Sequence, residues 1–334
     1  MVIHEIDEEQ IRRWPQRHEI PRFEGISREK FEKDHIIGPD GQGRPAIIRN
    51  ATPGWGCNRW SLDSFRERFG GLLVRSHARS SRVAPYDVVS YELTLAEHID
   101  YCRGQSLFLP PPQAKALSKR TDLYPQSGTL YWYESLARPE FQPLWDDVDV
   151  DFEFMDSLMA RLEGDWRRFA FHLPFANVFI GGAGSCVDLH KDYWSTHTLI
   201  VHLEGFKHVM AFPRSAASCI KNDRNEPIDP RQPDEREFPR FRDAPVHIGT
   251  IGPGDTLFLP PNWYHDVLGL TPSLSFGMNL FTVHNIGPYL SNLLSHPLQL
   301  FEALRSHPGI GPTLRDEAGV PLGERALSLR ARTE

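Results

Sequence analysis

Two histidines and an aspartate have the clearest potential for chemistry in this sequence. His190-Lys191-Asp192 precedes an apolar strand, and His265 stands in the stretch PPNWYHDV. On an extended backbone residues i and i+2 point to the same side, so the His190 imidazole and the Asp192 carboxylate can reach one metal ion. With His265 as third ligand, two histidines and one carboxylate leave open positions, as is typical of non-haem Fe(II) that binds a cosubstrate and O2.

Two other histidine–carboxylate pairs have the same spacing. His98 and Asp100 lie in LTLAEHIDYC, which has helical periodicity, and in a helix two such side chains point about 200° apart. His202 and Glu204 lie on a strand but crowd the next turn at Gly205. We therefore predict packing or surface roles for both pairs.

The distribution of apolar residues, Gly and Pro along the chain predicts a mainly β core. From about residue 169 short apolar runs are divided by Gly and Pro, which indicates an antiparallel sandwich or small barrel. Before it, residues 60–69 and 93–102 have helical periodicity, and residues 128–133 alternate in the manner of a strand. The long proline-rich segment between Arg214 and Val246 is predicted to form an active-site rim.

Composition limits the class of protein. The 334 residues are 40% hydrophobic and 24% charged, as in an ordinary globular protein. No apolar run approaches the roughly 20 residues that span a bilayer, so we expect no membrane partner and a cytoplasmic location. The four cysteines are far apart without a C-x-x-C pair, which predicts neither a zinc clip nor a disulfide framework. A net charge of -7 predicts no nucleic-acid partner.

The order of several short motifs carries a family resemblance. H-x-D is followed by G-F-K, G-P-G-D, W-Y-H and an apolar strand that ends in Asn. This order resembles the JmjC-type Fe(II)- and 2-oxoglutarate-dependent hydroxylases of the cupin-like group, with the asparaginyl hydroxylase that acts on hypoxia-inducible factor as the nearest likeness. The resemblance covers about residues 170–285 and, more weakly, 23–140.

The resemblance implies a fold and a division of the chain. We expect a mainly β protein with flanking helices, whose core at about residues 169–285 is a double-stranded β-helix, or jelly roll. Residues 1–285 would form the oxygenase domain, and residues 286–334 a C-terminal helical segment and tail.

The resemblance also assigns roles to residues. His190, Asp192 and His265 match the iron-binding, catalytic triad of the family. Lys207, in EGFK, matches the basic residue that pairs with the distal carboxylate of 2-oxoglutarate. Physical chemistry agrees, because a lysine on a buried strand needs an anionic partner.

Three further residues match cosubstrate contacts of the family. Tyr131 resembles the tyrosine that also holds the distal carboxylate, Thr198 resembles a polar cosubstrate contact, and Asn279 matches the asparagine of the last core strand. Each could instead be a packing residue. Where the family often has a threonine three residues before the first iron histidine, this chain has Val187, and Ser185 or Thr198 could substitute for it.

Three aromatic residues flank the ligands. Tyr193, Trp194 and Trp263 are predicted to form an aromatic substrate pocket, with packing in the barrel as the alternative.

These assignments predict an oxygenase that uses Fe(II), 2-oxoglutarate and O2. It would hydroxylate an unactivated C–H bond of a peptide or protein side chain, or of an amino-acid-like small molecule, with release of succinate and CO2. The sequence does not choose the substrate or distinguish hydroxylation from demethylation or desaturation. The alternative is a cupin-like metal-binding protein that is non-catalytic or uses no cosubstrate, which would leave Lys207 without a role.

An apolar stripe near the C-terminus predicts a homodimer. Residues 286–306 have helical periodicity and would present one apolar face. An exposed apolar face of this kind usually marks an interface. Packing of the stripe on the chain's own barrel is the alternative. Its residues are Leu290, Leu293, Leu294, Leu298, Phe301 and Leu304.

Overall fold

The computed structural model of the protein describes residues 14–78, 89–105, 113–114, 130–162, 176–192, 195–223, 225, 227–231 and 233–295. The strands in these residues are β1 Arg17–Glu19, β2 Arg22–Phe23, β3 Ala46–Arg49, β4 Leu73–Ala78, β5 Val89–Thr94, β6 Gln113–Ala114, β7 Leu130–Ser135, β8 Ala176–Gly181, β9 Cys186–His190, β10 His197–Glu204, β11 Lys207–Phe212, β12 Val246–Ile251, β13 Asp255–Leu259, β14 Tyr264–Gly269 and β15 Ser273–Leu280. The α-helices are α1 Arg28–Phe31, α2 Leu62–Phe69, α3 Leu95–Cys102, α4 Ala217–Ile220 and α5 Ile286–Ser295.

Eight consecutive strands, β8 to β15, form the predicted double-stranded β-helix. Four of them pair in the order β13-β10-β15-β8, and the other four in the order β12-β11-β14-β9. All of these pairings are antiparallel, and the chain passes between the two sheets at almost every connection. The mainly β jelly-roll fold with flanking helices is confirmed.

The first four-stranded group belongs to a wider major sheet. Strands β2 and β3 extend it beyond β13, and β7, β4, β5 and β6 extend it beyond β8. Strand β1 lies parallel to β12 at the edge of the smaller, minor sheet. The four jelly-roll strands β13, β10, β15 and β8 are therefore the middle strands of the major sheet.

Three apolar clusters hold the layers together. The largest packs α1, α2 and α3 against the outer face of the major sheet, through residues such as Phe65, Leu199 and Phe276. A second lies between the two sheets and includes Val209 and Leu257. A third covers the outer face of the minor sheet. The two-residue period of each strand divides its side chains between an inner and an outer cluster.

Local signals define the helices near the predicted positions. Ser61 accepts a hydrogen bond from the Ser64 amide at the start of α2, and Thr94 and Glu97 form a capping box at the start of α3. Such caps satisfy amide groups that have no partner within the helix. In the described part of the chain, no helix has the length and apolar character needed to cross a membrane.

In its described part, much of the segment between Arg214 and Val246 packs on the outer face of the minor sheet, and its role as an active-site rim stays a prediction. Ile228, Phe238 and Phe241 pack on the outer face of the minor sheet with Met210 and Phe212. The segment is long because it covers a sheet face that would otherwise expose apolar side chains to water.

A buried ion pair anchors this segment to the minor sheet. Arg231 Nη1 donates to Asp266 Oδ2 at 2.6 Å, and the two side chains are 6% and 0% exposed. Because Asp266 follows His265 on β14, the ion pair lies directly behind the strand that carries this candidate ligand.

Helix α5 contains only part of the predicted apolar stripe. Ile286 and Tyr289 pack on the large cluster, whereas Leu290 and Leu294 are 47% and 77% exposed. The stripe residues from Leu298 onwards lie outside the described residues. The homodimer stays a prediction.

Removal of the Arg231 guanidinium should destabilise the fold strongly, because it leaves Asp266 as a buried charge without its partner. We expect Arg231→Ala to lower the free energy of unfolding by about 3–5 kcal/mol, measured by chemical denaturation. The control is Arg161→Ala, which breaks the exposed Arg161–Asp156 pair and should leave the unfolding midpoint unchanged. Equal effects of the two substitutions would contradict the structural role of the buried pair.

Candidate metal centre

The two histidines come from neighbouring strands of the minor sheet. His190 is the last residue of β9 and lies opposite His265 on β14. Their ring centroids are 4.3 Å apart. Asp192 follows β9 by two residues, and Lys191 between them turns to the other side, where its Nζ lies 5.9 Å from the Tyr264 ring centroid. The H-x-D spacing thus places both predicted ligands on one side, as the strand period requires.

The three side chains converge on one point. Asp192 Oδ1 lies 3.8 Å from His190 Nε2 and 3.9 Å from His265 Nε2. One ligand atom from each residue lies within 4.8 Å of the other two, and this is the cluster among the described residues that could hold a metal ion. Atoms bound to one ion at about 2.0–2.2 Å are roughly 3–4 Å apart, so the arrangement is close to a chelating geometry.

The environment of His265 favours the neutral imidazole that a metal requires. The ring is buried, and its Nδ1 lies 3.3 Å from the Trp263 carbonyl oxygen. Burial, and then the neighbouring His190, hold the pKa of His265 well below its usual value. A carbonyl at Nδ1 fixes the tautomer that leaves the Nε2 lone pair free for an ion.

The Asp192 carboxylate is oriented by a hydrogen bond. The Thr198 hydroxyl, at the start of β10, donates to Asp192 Oδ2, while Oδ1 faces the two histidines. Sequence reasoning assigned Thr198 to the cosubstrate, whereas the structure joins it to a candidate metal ligand. The other candidate substitute, Ser185, donates to the Gly182 carbonyl oxygen. Each hydroxyl has one proton, so neither can donate to a cosubstrate without giving up its present bond.

Lys207 lies on the inner face of the same sheet. Lys207 begins β11 and lies opposite Gly269 of β14, while Ala211, four residues further along β11, lies opposite His265. The ammonium is therefore on the side of the metal cluster, with a strand distance of roughly 13 Å between the two levels. Lys207 is 5% exposed and has no hydrogen bond or salt bridge to a described residue. Burial lowers its pKa to about 7.

Two neutral polar groups face the same interior from the major sheet. Asn279 lies opposite Thr198, and the half-buried Tyr131 lies beside Phe179, with their rings stacked at a centroid distance of 6.2 Å. Burial raises the pKa of the Tyr131 phenol well above its usual value, and the nearby Asp192 carboxylate adds to this effect. The phenol therefore keeps its proton. Within the described residues, neither side chain has a hydrogen-bond partner.

Of the three residues of the predicted aromatic pocket, the structure describes Trp263. Trp263 is 3% exposed, packs in the cluster between the sheets and donates its indole N–H to the Gln42 carbonyl oxygen at 2.8 Å. This burial favours packing over the predicted substrate contact. Tyr193 and Trp194 lie outside the described residues.

The two competing histidine–carboxylate pairs have structural partners. His98 is buried on α3 between the Ser76 hydroxyl and the Ile180 carbonyl, and Asp100 pairs with Arg66. His202 is held by Ser275 and the Gly205 carbonyl oxygen. The exclusion of both pairs from the metal cluster agrees with their predicted packing.

The fold and this cluster define a cupin-like protein, and comparison with known families agrees. Residues 30–282 match the family model described as a cupin-like domain. Because this match spans most of the chain, the protein belongs to the JmjC/cupin-like family, and the proteins similar to it include one named as an oxygenase and one named as a hydroxylase.

Three similar proteins indicate the chemistry of the group. The human tRNA wybutosine-synthesizing protein 5 is 26% identical over 79% of this chain and 78% of its own length. The 2-oxoglutarate and iron-dependent oxygenase JMJD4 of Gallus gallus is 24% identical over 78% of this chain and 59% of its own length. The human bifunctional peptidase and (3S)-lysyl hydroxylase JMJD7 is 23% identical over 67% of this chain and 73% of its own length.

The hydrogen bond from Thr198 to Asp192 predicts that Thr198 supports the metal more than the cosubstrate. We expect Thr198→Val to weaken Mn(II) binding about 10- to 100-fold in calorimetric titrations without cosubstrate, because outer partners of metal ligands have effects of this size. Thr198→Ser keeps the hydroxyl and should retain the affinity. A valine variant with normal metal affinity but weakened 2-oxoglutarate binding would instead support the cosubstrate contact.

Proposed function

We propose that the protein is an Fe(II)- and 2-oxoglutarate-dependent oxygenase that hydroxylates an unactivated C–H bond of a peptide or protein side chain, or of an amino-acid-like small molecule. The observation that carries the proposal is the position of Lys207. A buried ammonium without a partner among the described residues shares the inner face of the minor sheet with a convergent His-Asp-His cluster.

The residues present fit the implied groups. Two neutral imidazoles and one carboxylate are the ligand set typical of a non-haem Fe(II) site with open positions. His190, Asp192 and His265 would hold the ion. A dicarboxylate would supply the negative charge that the Lys207 ammonium needs nearby, and the Tyr131 hydroxyl would donate a hydrogen bond to the same carboxylate. A cupin-like protein without a cosubstrate would leave the buried ammonium unexplained.

The roles of the chain's residues follow from their positions. When bound, Fe(II) with 2-oxoglutarate and O2 supplies the oxidation, in which one oxygen atom enters the substrate C–H bond and the other enters succinate as CO2 is released. Lys207 and Tyr131 bind and orient the cosubstrate, and Asn279 offers a neutral amide to the same interior. Thr198 holds the Asp192 carboxylate in place, and the apolar side chains between the sheets exclude water.

The class of substrate is the part of the proposal that needs the broadest test. The human relative JMJD7 is named a lysyl hydroxylase, which agrees with an amino-acid side chain as substrate. Other relatives carry the name tRNA wybutosine-synthesizing protein 5, whereas the acidic net charge of this chain led us to expect no nucleic-acid partner. Pools of peptides, small molecules and tRNA should therefore be incubated in parallel and searched by mass spectrometry for addition of one oxygen atom.

The cosubstrate chemistry can be tested without a substrate. Anaerobic addition of Fe(II) and 2-oxoglutarate to the protein should produce a weak visible charge-transfer band, which requires both groups at one site. A band that is absent with both groups present would favour the non-catalytic or cosubstrate-independent alternative. Oxygenation of tRNA alone would keep the oxygenase class and overturn the proposed substrate.

Lys207→Ala should weaken 2-oxoglutarate binding much more than metal binding. A hydrogen bond to a charged group contributes about 1.5–3 kcal/mol, which corresponds to roughly 10- to 150-fold in affinity. Titration of the charge-transfer band measures the cosubstrate affinity, and Mn(II) titration measures the metal affinity. Lys207→Arg, which keeps the cation, should lose less. An unchanged cosubstrate affinity in the alanine variant would assign Lys207 a structural role.

The affinity for 2-oxoglutarate should fall as the pH rises above about 7. The pKa of Lys207 is lowered to about 7 in the protein without cosubstrate, so the ammonium that binds the carboxylate is lost above this pH. Each further pH unit should then weaken binding by up to about tenfold, since protonation must precede the charge-assisted contact. The same titration on Lys207→Arg provides the control, because its guanidinium stays protonated and its affinity should be flat over this range.

A further inference from the structure

A small set of residues has an unusual backbone conformation. Among the described non-glycine residues, Asn50, Ser195, Asn225 and Asn262 have positive φ angles of 50°, 55°, 63° and 63°. Residues with a Cβ atom rarely adopt positive φ, and they remain in this conformation only where the surrounding structure holds them.

Two of these four residues are joined to each other. Asn262 Nδ2 donates to Ser195 Oγ at 3.1 Å. Ser195 stands three residues after Asp192, and Asn262 stands three residues before His265. The hydrogen bond therefore joins the connection that follows Asp192 to the connection that precedes the strand of His265.

Each connection passes from one sheet to the other at the same end of the sandwich. Ser195 lies between β9 of the minor sheet and β10 of the major sheet, and Asn262 lies between β13 of the major sheet and β14 of the minor sheet. Strand pairing sets the register of His190 against His265, but Asp192 lies beyond the end of β9, where the Thr198 hydroxyl holds its carboxylate and no strand pair fixes its backbone. A contact between the two connections can add a constraint on that backbone.

The two residues differ in how well they suit the conformation. Asn262 occupies a turn closed by the Trp263 amide and the Pro260 carbonyl at 3.4 Å, with Pro261 before it. Proline followed by asparagine suits a type II turn, in which the second central residue has positive φ. Ser195 has no such preference. It is buried, and Asn285 Nδ2 donates to its carbonyl oxygen at 2.9 Å.

We infer that the Ser195–Asn262 hydrogen bond is a tie between these two connections that positions Asp192 and His265 for metal binding. Ser195 and Asn262 are positioning residues, since both act through the ligands. The inference rests on the metal centre of the proposed function.

The test compares metal affinity with the stability of the metal-free protein. Asn262→Gly keeps the backbone conformation and removes the amide, Ser195→Ala removes the hydroxyl, and Ser195→Gly removes the hydroxyl and relieves the strain. Asn225→Gly is the matched control, because Asn225 has the same φ as Asn262 but is exposed in the segment between Arg214 and Val246. Mn(II) affinity is measured by calorimetry without cosubstrate, and the melting temperature is measured in the presence of a chelator.

We expect the first three variants to bind Mn(II) about tenfold or more weakly, the size of effect seen for outer partners of metal ligands. Asn225→Gly should bind Mn(II) as the wild type does. Ser195→Gly should melt at a higher temperature than Ser195→Ala, because glycine adopts positive φ without strain, yet it should bind Mn(II) no more tightly. If the hydrogen bond only stabilised the fold, the Mn(II) affinity of the variants would fall in step with their melting temperatures.

Two results would overturn the inference. One is an unchanged Mn(II) affinity in both Asn262→Gly and Ser195→Ala, and the other is a loss of affinity that follows the melting temperature across all four variants. A wild-type protein that binds no Mn(II) and no Fe(II) would instead refute the proposed function itself, and this inference with it.

Discussion

The pairing register of β9 with β14 is the constraint on which the site depends. It sets His190 opposite His265, and the pairing of β14 with β11 then places Lys207 on the same inner face. Because side chains alternate along a strand, a shift of one residue in either pairing would turn a ligand or the ammonium to the outer face. The apolar clusters on both sides of the minor sheet oppose such a shift, since it would bury polar side chains and expose apolar ones.

The two faces of the minor sheet differ in whether a buried charged side chain has a partner of opposite charge. On the outer face Asp266 is neutralised by Arg231, so that this charge stabilises the attachment of the covering segment. On the inner face Lys207 lacks a partner among the described residues, and burial lowers its pKa. A buried group of this kind is accommodated as the neutral amine or by an anion that enters from outside. The difference separates a charge used for stability from a charge available for binding.

The sequence by itself determined the features that depend on neighbours along the chain. The H-x-D spacing on an extended segment identified His190 and Asp192, and the helical context of His98 excluded its pair with Asp100. The helical periodicity of residues 60–69 and 93–102 predicted two helices, and in the structure their starts are capped by Ser61 and Thr94, which satisfy amides only a few residues away. The alternation of short apolar runs with Gly and Pro predicted an antiparallel sandwich or small barrel, since strand period and turn preference are local properties. The jelly-roll arrangement of these strands came from the family resemblance.

Only the tertiary structure decided the features that require contacts between distant residues. Thr198 contacts Asp192 because β10 returns past the end of β9, and Trp263 is buried because the two sheets close over it. The segment between Arg214 and Val246 covers a sheet face, which its proline-rich sequence did not indicate. The tie between Ser195 and Asn262 joins two connections that the sequence alone cannot place side by side. Polarity and spacing predict which side chains can do chemistry, but only the packing of the two sheets fixes which groups meet.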